Sequence, residues 1–216
     1  MKVAVFFTWD YSLKTWNESG TISRELKFFK KMQNEKNIAF SFFTYGSSSD
    51  FKFASQHNLS EIHPIYNTSV YLKNKLLRFS SSVFLPFKLR KKIDTVDIIF
   101  QNQLLGSWIP ILIKYIYKKP LIIRTGYDML QFAKEDKKSS FIIFLYKILT
   151  SFAVRSCDYF TVTSEADLRR FKIKYPKYEK KFLLRPNWIE VNELNTLTSR
   201  HTNKLLTVGR LVTQKN

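Results

Sequence analysis

The sequence predicts an α/β fold: a doubly wound, mostly parallel sheet with helices on both faces, Rossmann-like in arrangement. Two observations carry that expectation. Short apolar runs of strand length alternate along the chain with longer segments, several of which repeat apolar residues at helical spacing. The runs are apolar nearly throughout, the pattern of strands covered on both faces, as those of parallel sheets are.

Taken in order, Lys2–Thr8 (KVAVFFT) is the first run, bounded by Trp9-Asp10. A polar loop, Asp10–Ser19, separates it from Gly20 and a helix in which Ile22, Leu26, Phe29 and Met32 share one face. Ile38–Thr44 is the second strand, closed by Tyr45-Gly46 and a serine run. Asp50–Asn58 reads as a short helix or a loop. Glu61–Tyr66 reads as a short strand that Pro64 confines to a sheet edge. Asn67–Ile93 alternates cations with Leu, Phe and Val and is expected to form one or two helices separated near Pro86. Asp97–Gln101 is a core strand, Trp108–Tyr117 an apolar helix and Pro120–Arg124 the next strand, ended by Thr125-Gly126-Tyr127-Asp128. Phe141–Ser156 is a long apolar helix and Asp158–Thr163 a strand. Glu165–Tyr175 is a helix behind a Thr-Ser cap signal, and Phe182–Leu184 a last short strand. Glu190–Asn203 is polar and reads as an interdomain linker.

With 44% hydrophobic and 16% aromatic residues the chain is not of the disordered class. Its 36 Lys and Arg against 17 Asp and Glu give a net charge of +19, which favours an anionic partner: nucleic acid, an anionic membrane surface or a phosphorylated substrate. The single Cys157, in an apolar helical stretch, reads as a small buried side chain and fits a reducing compartment. His57, His63 and His201 stand in unrelated contexts, and no metal-ligand spacing appears. Asp10 ends the first apolar run too early for a secretory signal, and Lys114 and Lys147 interrupt stretches too short to span a membrane.

Ligands of doubly wound sheets sit at the carboxyl ends of the strands. The candidate loops are therefore Trp9–Gly20, Gln101–Gly106, Arg124–Asp128, Ser164–Glu165 and Asn187. The Trp9–Gly20 loop has neither GxGxxG nor a P-loop pattern. Leu205–Asn216 (LLTVGRLVTQKN) adds an apolar run, the turn glycine Gly209, and the cations Arg210 and Lys215, a common way to hold phosphates at a strand's carboxyl end. On this reading 1–188 is one Rossmann-like domain, 189–203 a linker, and 204–216 the opening strand and phosphate-binding turn of a second domain.

The order of these segments resembles the family 4 retaining glycosyltransferases of two-domain GT-B architecture. The resemblance rests on VGRL followed by QKN, on the RPNWI segment and on CDYFTVTSEAD. It implies transfer of a sugar, with retention, from a nucleotide-sugar donor to a carbohydrate or lipid-linked acceptor. It implies work in bacterial lipopolysaccharide, O-antigen or capsular polysaccharide synthesis, in the cytoplasm and at the inner face of its membrane, with no cofactor and no metal. It also implies that the sequence stops as the donor domain begins and that the 216-residue chain alone has no transferase activity.

Residue by residue, Arg210 and Lys215 match the cations that bind the donor diphosphate, where preorganised charge stabilises the leaving group. Gly20 matches the glycine that lets backbone approach the donor phosphate. Gly126 and Tyr127 lie in the loop facing the transferred sugar, where the family often carries a histidine. Asn187 matches the asparagine at the domain junction, with Trp188 in place of the usual glycine. Asp128 and Glu165 sit on loops suited to positioning an acceptor; Asp128 equally suits a helix cap, and Glu165 the first turn of a helix.

The basic stretch leaves three readings: a solvated face, a nucleic-acid surface without a recognised motif, and membrane docking. Membrane docking is favoured, through Lys73, Lys75, Arg78, Lys88, Arg90, Lys91 and Lys92. The competing function class is a non-enzymatic basic α/β module that binds a membrane surface or nucleic acid.

Overall fold

The computed structural model describes residues 1–188 apart from Ser60. The expected linker 189–203 and the expected opening of a second domain, 204–216, with Arg210 and Lys215, lie outside the described residues. In chain order the elements are β1 (Lys2–Phe6), α1 (Leu13–Glu18), α2 (Ile22–Lys36), β2 (Ala39–Thr44), α3 (Ser49–Gln56), β3 (Ile62–Pro64) and α4 (Ile65–Thr68). Next come α5 (Lys75–Ser82), α6 (Leu85–Lys88), α7 (Arg90–Ile93), β4 (Ile98–Asn102), α8 (Trp108–Tyr117) and β5 (Leu121–Arg124). The last are α9 (Met129–Glu135), α10 (Ser140–Ser156), β6 (Tyr159–Val162), α11 (Glu165–Lys174), a 3-10 turn (Pro176–Lys181) and β7 (Phe182–Leu184).

The expected sheet is present and fully parallel, in the order β3-β2-β1-β4-β5-β6-β7. The first crossovers walk outward from β1 to β2 and β3; the chain then returns to place β4 on the other side of β1. The strand order therefore reverses between β1 and β4, and these two strands flank the topological switch point. Because parallel crossovers are right-handed, the two directions of travel put their helices on opposite faces. α1, α2 and α3 pack together on one face. On the other, α6 packs on α8 and α8 on α10.

Phenylalanine fills the space between these layers. Phe6 stacks on Phe43 across the β1–β2 pair at 4.6 Å, and Phe7 stacks on Trp16 of α1 at 3.9 Å. Phe29 of α2 meets Phe40, Phe42 and Phe100 edge-on. Each fully buried ring of this kind contributes roughly 2–3 kcal/mol of hydrophobic stabilisation. Cys157 is buried, as expected, and burial pushes its thiol up to about 12, so it is a packing residue.

Three helical details depart from the sequence expectation. The loop Asp10–Ser19 contains α1, six residues long, started by a capping box between Ser12 and Thr15. The basic stretch breaks into four short helices because Asn74 caps α5 and Pro86 opens α6. A short helix, α9, precedes the long apolar one; its signal was the cap Asp128.

Candidate functional site

The carboxyl ends of β1, β4 and β5 converge at the switch point. Thr8 follows β1 and donates its hydroxyl to the carbonyl of Asn102 at 3.0 Å. Gln101, fully buried in β4, donates Nε2–H to the Phe7 carbonyl at 3.2 Å, tying the β1 loop to β4. Between these ends lies a cavity of about 180 Å³ lined by Thr8, Tyr11, Gln103, Leu104, Leu105, Thr125, Tyr127 and Met129. Its polar groups are hydroxyls and one amide; among the described residues no carboxylate or imidazole lines it.

Gln103 shapes this cavity from a backbone conformation of φ +88, rare for a residue with a side chain. Its Oε1 accepts the Gly126 N–H at 2.8 Å. A Cβ at position 126 would stand 2.7 Å from Gln103 Nε2, so the glycine makes room for the amide. Thr163 donates to the Gly126 carbonyl at 2.9 Å, and Thr125 donates its hydroxyl to the Tyr127 carbonyl, closing the turn. Tyr127 is left 45% exposed at the cavity rim, its ring edge-on to Phe132. Beyond Leu105, Gly106 has φ +98, and a Cβ there would press on the Trp9 backbone at 3.1 Å.

A cationic cluster adjoins the cavity beyond β5. Buried Arg124 donates to Asn102 Oδ1 at 2.8 Å and to Asn187 Oδ1 at 2.6 Å, and approaches Glu25 of α2 at 3.8 Å. Burial lowers the Arg124 guanidinium from its ordinary range, with Glu25 opposing. Arg185 lies over Phe28 at 4.5 Å and over Phe100 at 5.2 Å; burial first, then repulsion from Arg124, lowers it to about 10. Glu25 is the carboxylate that offsets both guanidiniums, so the cluster is net positive.

The sequence-predicted residues divide accordingly. Gly126 and Tyr127 belong to the cavity, and Asn187 to the cationic cluster. Gly20 has φ +66 in the turn between α1 and α2, a conformation that favours glycine, with open space around it. Asp128 takes the capping role: buried, it accepts the N–H groups of Leu130 and Gln131 at 3.1 Å and approaches Arg170 at 3.6 Å. Glu165 is an exposed first-turn residue of α11, 3.4 Å from Arg169. Neither carboxylate lines the cavity.

Arg78 leaves the docking set. It is 4% exposed, turned inward onto Asp10 of the β1 loop and onto the Leu72 carbonyl, with the Tyr71 ring 4.7 Å away. Lys73, Lys75, Lys88, Arg90, Lys91 and Lys92 are exposed. Sequence reasoning did not single out Thr8, Tyr11, Gln103, Leu104, Leu105, Thr125 or Met129 as cavity residues, although Tyr11, Gln103, Leu104, Leu105 and Thr125 fall within candidate loops. Among the described residues no His, Cys, Asp and Glu cluster is arranged to hold a metal ion.

No protein-family model matches the chain, and no curated protein matches it. Solved structures do. A UDP-N-acetylglucosamine 2-epimerase superposes with a TM-score of 0.60 at 10% identity, over 87% of this chain and 48% of the other. HepE (Alr3699) of Anabaena, solved with UDP, gives 0.56 at 13% identity over 88% and 45%. The UDP-GlcNAc 2-epimerase of Methanocaldococcus jannaschii gives 0.57 at 14% over 85% and 45%. The fold is the Rossmann-like half of the GT-B architecture. The chain spans less than half the length of these proteins.

Proposed function

We propose that this chain is the acceptor-side domain of a two-domain retaining glycosyltransferase of the family 4 kind. The reaction moves a sugar from a nucleotide-sugar donor to a carbohydrate or lipid-linked acceptor, in bacterial lipopolysaccharide, O-antigen or capsular polysaccharide synthesis. The observation that carries the reading is the switch-point cavity, which the described residues line with hydroxyls and an amide and with no carboxylate or imidazole. Those groups suit the orientation of a sugar hydroxyl. When the acceptor hydroxyl attacks on the face from which the diphosphate leaves, the main demand is neutralisation of charge on the diphosphate. Arg210 and Lys215 are assigned that task, and no metal is invoked. HepE, a protein of the same fold, was solved with UDP and with UDP-glucose, which supports a nucleotide-sugar donor.

A second reading, epimerisation of a nucleotide sugar, draws on the epimerases of the same fold. Epimerisation at carbon 2 requires groups that take and return a proton. Among the described residues the cavity offers none better suited than the tyrosines, and burial raises Tyr127 above its ordinary range, which favours transfer.

Two measurements test the proposal. Calorimetric titration of the chain with UDP-glucose or UDP-N-acetylglucosamine is expected to give no tight, saturable binding, because most of the donor site is assigned to a second domain. Tight binding would overturn that division. Incubating the protein joined to its second domain with labelled UDP-sugar and membrane lipid extract is expected to move label into the lipid or polysaccharide fraction. Label appearing instead in an epimeric nucleotide sugar without acceptor would establish the second reading.

A further inference from the structure

Helices α5 and α10 are built inside out. An ordinary surface helix turns its apolar stripe toward the sheet and its polar residues toward water. In α10, Phe141, Phe144, Leu145, Ile148 and Phe152 recur at helical spacing on the outward face, each between 42% and 68% exposed. The buried positions hold Thr150, Ala153, Val154 and Ser156. In α5 the buried residues are Arg78 and Ser82, while Leu76, Leu77 and Phe79 face out, followed by Val83, Phe84 and Phe87.

The two helices share one layer. Trp108, at the start of α8, donates Nε1–H to Ser82 at the end of α5 at 2.9 Å. Tyr115 of α8 donates to Ser156 of α10 at 3.3 Å. Tyr115 and Ile116 are themselves exposed between the two helices. Exposed large apolar side chains therefore extend from α5 across α8 to α10, well beyond what scattered surface residues require.

Charge selects the occupant. Residues 67–93, 98–127 and 137–157 supply these helices, and none of the three stretches contains Asp or Glu. Their exposed cations include Lys73, Lys75, Lys88, Arg90, Lys91, Lys92, Lys118 and Lys147. A second copy of the chain on a two-fold axis would bring cationic face against cationic face, which like-charge repulsion opposes. An anionic bilayer meets both features: ammonium and guanidinium groups at the headgroups, aromatic and aliphatic side chains at the acyl boundary.

We propose that α5–α8 and α10 form one docking face for an anionic lipid bilayer, with the α10 row as the part that enters it. The basic stretch alone is half of this face. The inference rests on the surface itself and is independent of the transferase reading, since vesicle binding is measured without nucleotide sugar.

Co-sedimentation of the 216-residue chain with phosphatidylcholine vesicles, with and without phosphatidylglycerol, tests it. The chain is expected to bind the anionic vesicles and to release as salt rises. Phe141→Ser, Phe144→Ser and Ile148→Ser together are expected to lower binding by at least roughly tenfold, since three inserting side chains are lost. Removing charge from the opposite layer with Lys31→Ser, Lys36→Ser and Lys52→Ser is expected to change it by less than about twofold, because those groups face away. Thermal midpoints check that each variant is folded. A single Phe144→Glu, which keeps the rest of α10 intact, is expected to weaken binding in the same direction. Four results would overturn the proposal: no binding of the unaltered chain to anionic vesicles, equal binding by the α10 variants, an equal loss from the opposite-layer variant, or a dimer that the α10 substitutions dissolve while vesicle binding is unchanged.

Discussion

The two helical layers of this molecule obey opposite rules. In the layer of α1–α3, Phe29 of α2 points inward: it is 5% exposed and meets four other rings, and Phe51 of α3 is the outward exception at 44% exposed. In the layer of α5 and α10, phenylalanine points outward and an arginine, serines and a threonine point inward. The first layer also mixes signs, as in the Lys14–Glu18 and Lys31–Glu35 pairs. The difference shows that the composition of a helix does not fix which side of it meets water. The sheet has two similar apolar faces, but only one is covered by helices that look finished on the outside.

The largest effect that tests this contrast is a matched pair of truncations. Phe29→Ala is expected to cost about 3–5 kcal/mol in urea unfolding. Phe144→Ala, the same change on the outward face of α10, is expected to stay within about 0.5 kcal/mol. Comparable costs for both would erase the distinction between the layers.

Next comes the inward arginine. Arg78→Met leaves Asp10 without its cation, and since Asp10 is about one-third exposed the loss is expected to be about 2–3 kcal/mol, below the fully buried case. Limited proteolysis should place the first new cut near α5, because Arg78 also holds the Leu72 carbonyl. Cutting elsewhere first would mean that α5 is held mainly by its contacts with α8.

At the cavity the effect is smaller. Gly126→Ala pushes the Gln103 amide aside and breaks one hydrogen bond, worth about 1 kcal/mol. In a Gln103→Ala background the same change should cost much less, and a double-mutant cycle reads that coupling.

The smallest effect is a pH slope at the sheet edge. Burial holds His63 below its ordinary range, partly offset by its hydrogen bond to Glu61. Burial would raise Glu61, but its hydrogen bonds to Lys2 and His63 carry it below its ordinary range. Both shifts have the same sign for stability: the contribution is present at neutral pH and declines on acidification, first as pH falls below about 6.5 for the histidine. His63→Gln should flatten thermal midpoints measured between roughly pH 6.5 and 5. An unchanged slope would assign it to other groups.

The sheet was legible in the sequence because its strands are nearly unbroken apolar runs, and β7 (Phe182–Leu184) was located to the residue. Short helices were harder: α1 and α9 are set by the caps Ser12 and Asp128 rather than by periodicity. Helical spacing also failed to say which side of α5 faces the sheet, so Arg78 was placed with the outward lysines. Its partner, Asp10, lies 68 residues earlier in sequence, beyond the reach of any local pattern. The cavity was half legible for a similar reason. Gly126 stood out in a turn, whereas Gln103 gains its role from a backbone angle that nothing in its residue type announces.

The carboxylate-free helices have one more consequence. The α5, α8 and α10 helices carry cations and no carboxylate, whereas α1–α3 carry both signs, so charge is divided unevenly between the two layers. In the field of a negatively charged plane, such a body experiences a torque as well as a pull, within the Debye distance of about 8 Å at physiological salt. It would turn before it touches, so that first encounters already present α5 and α10.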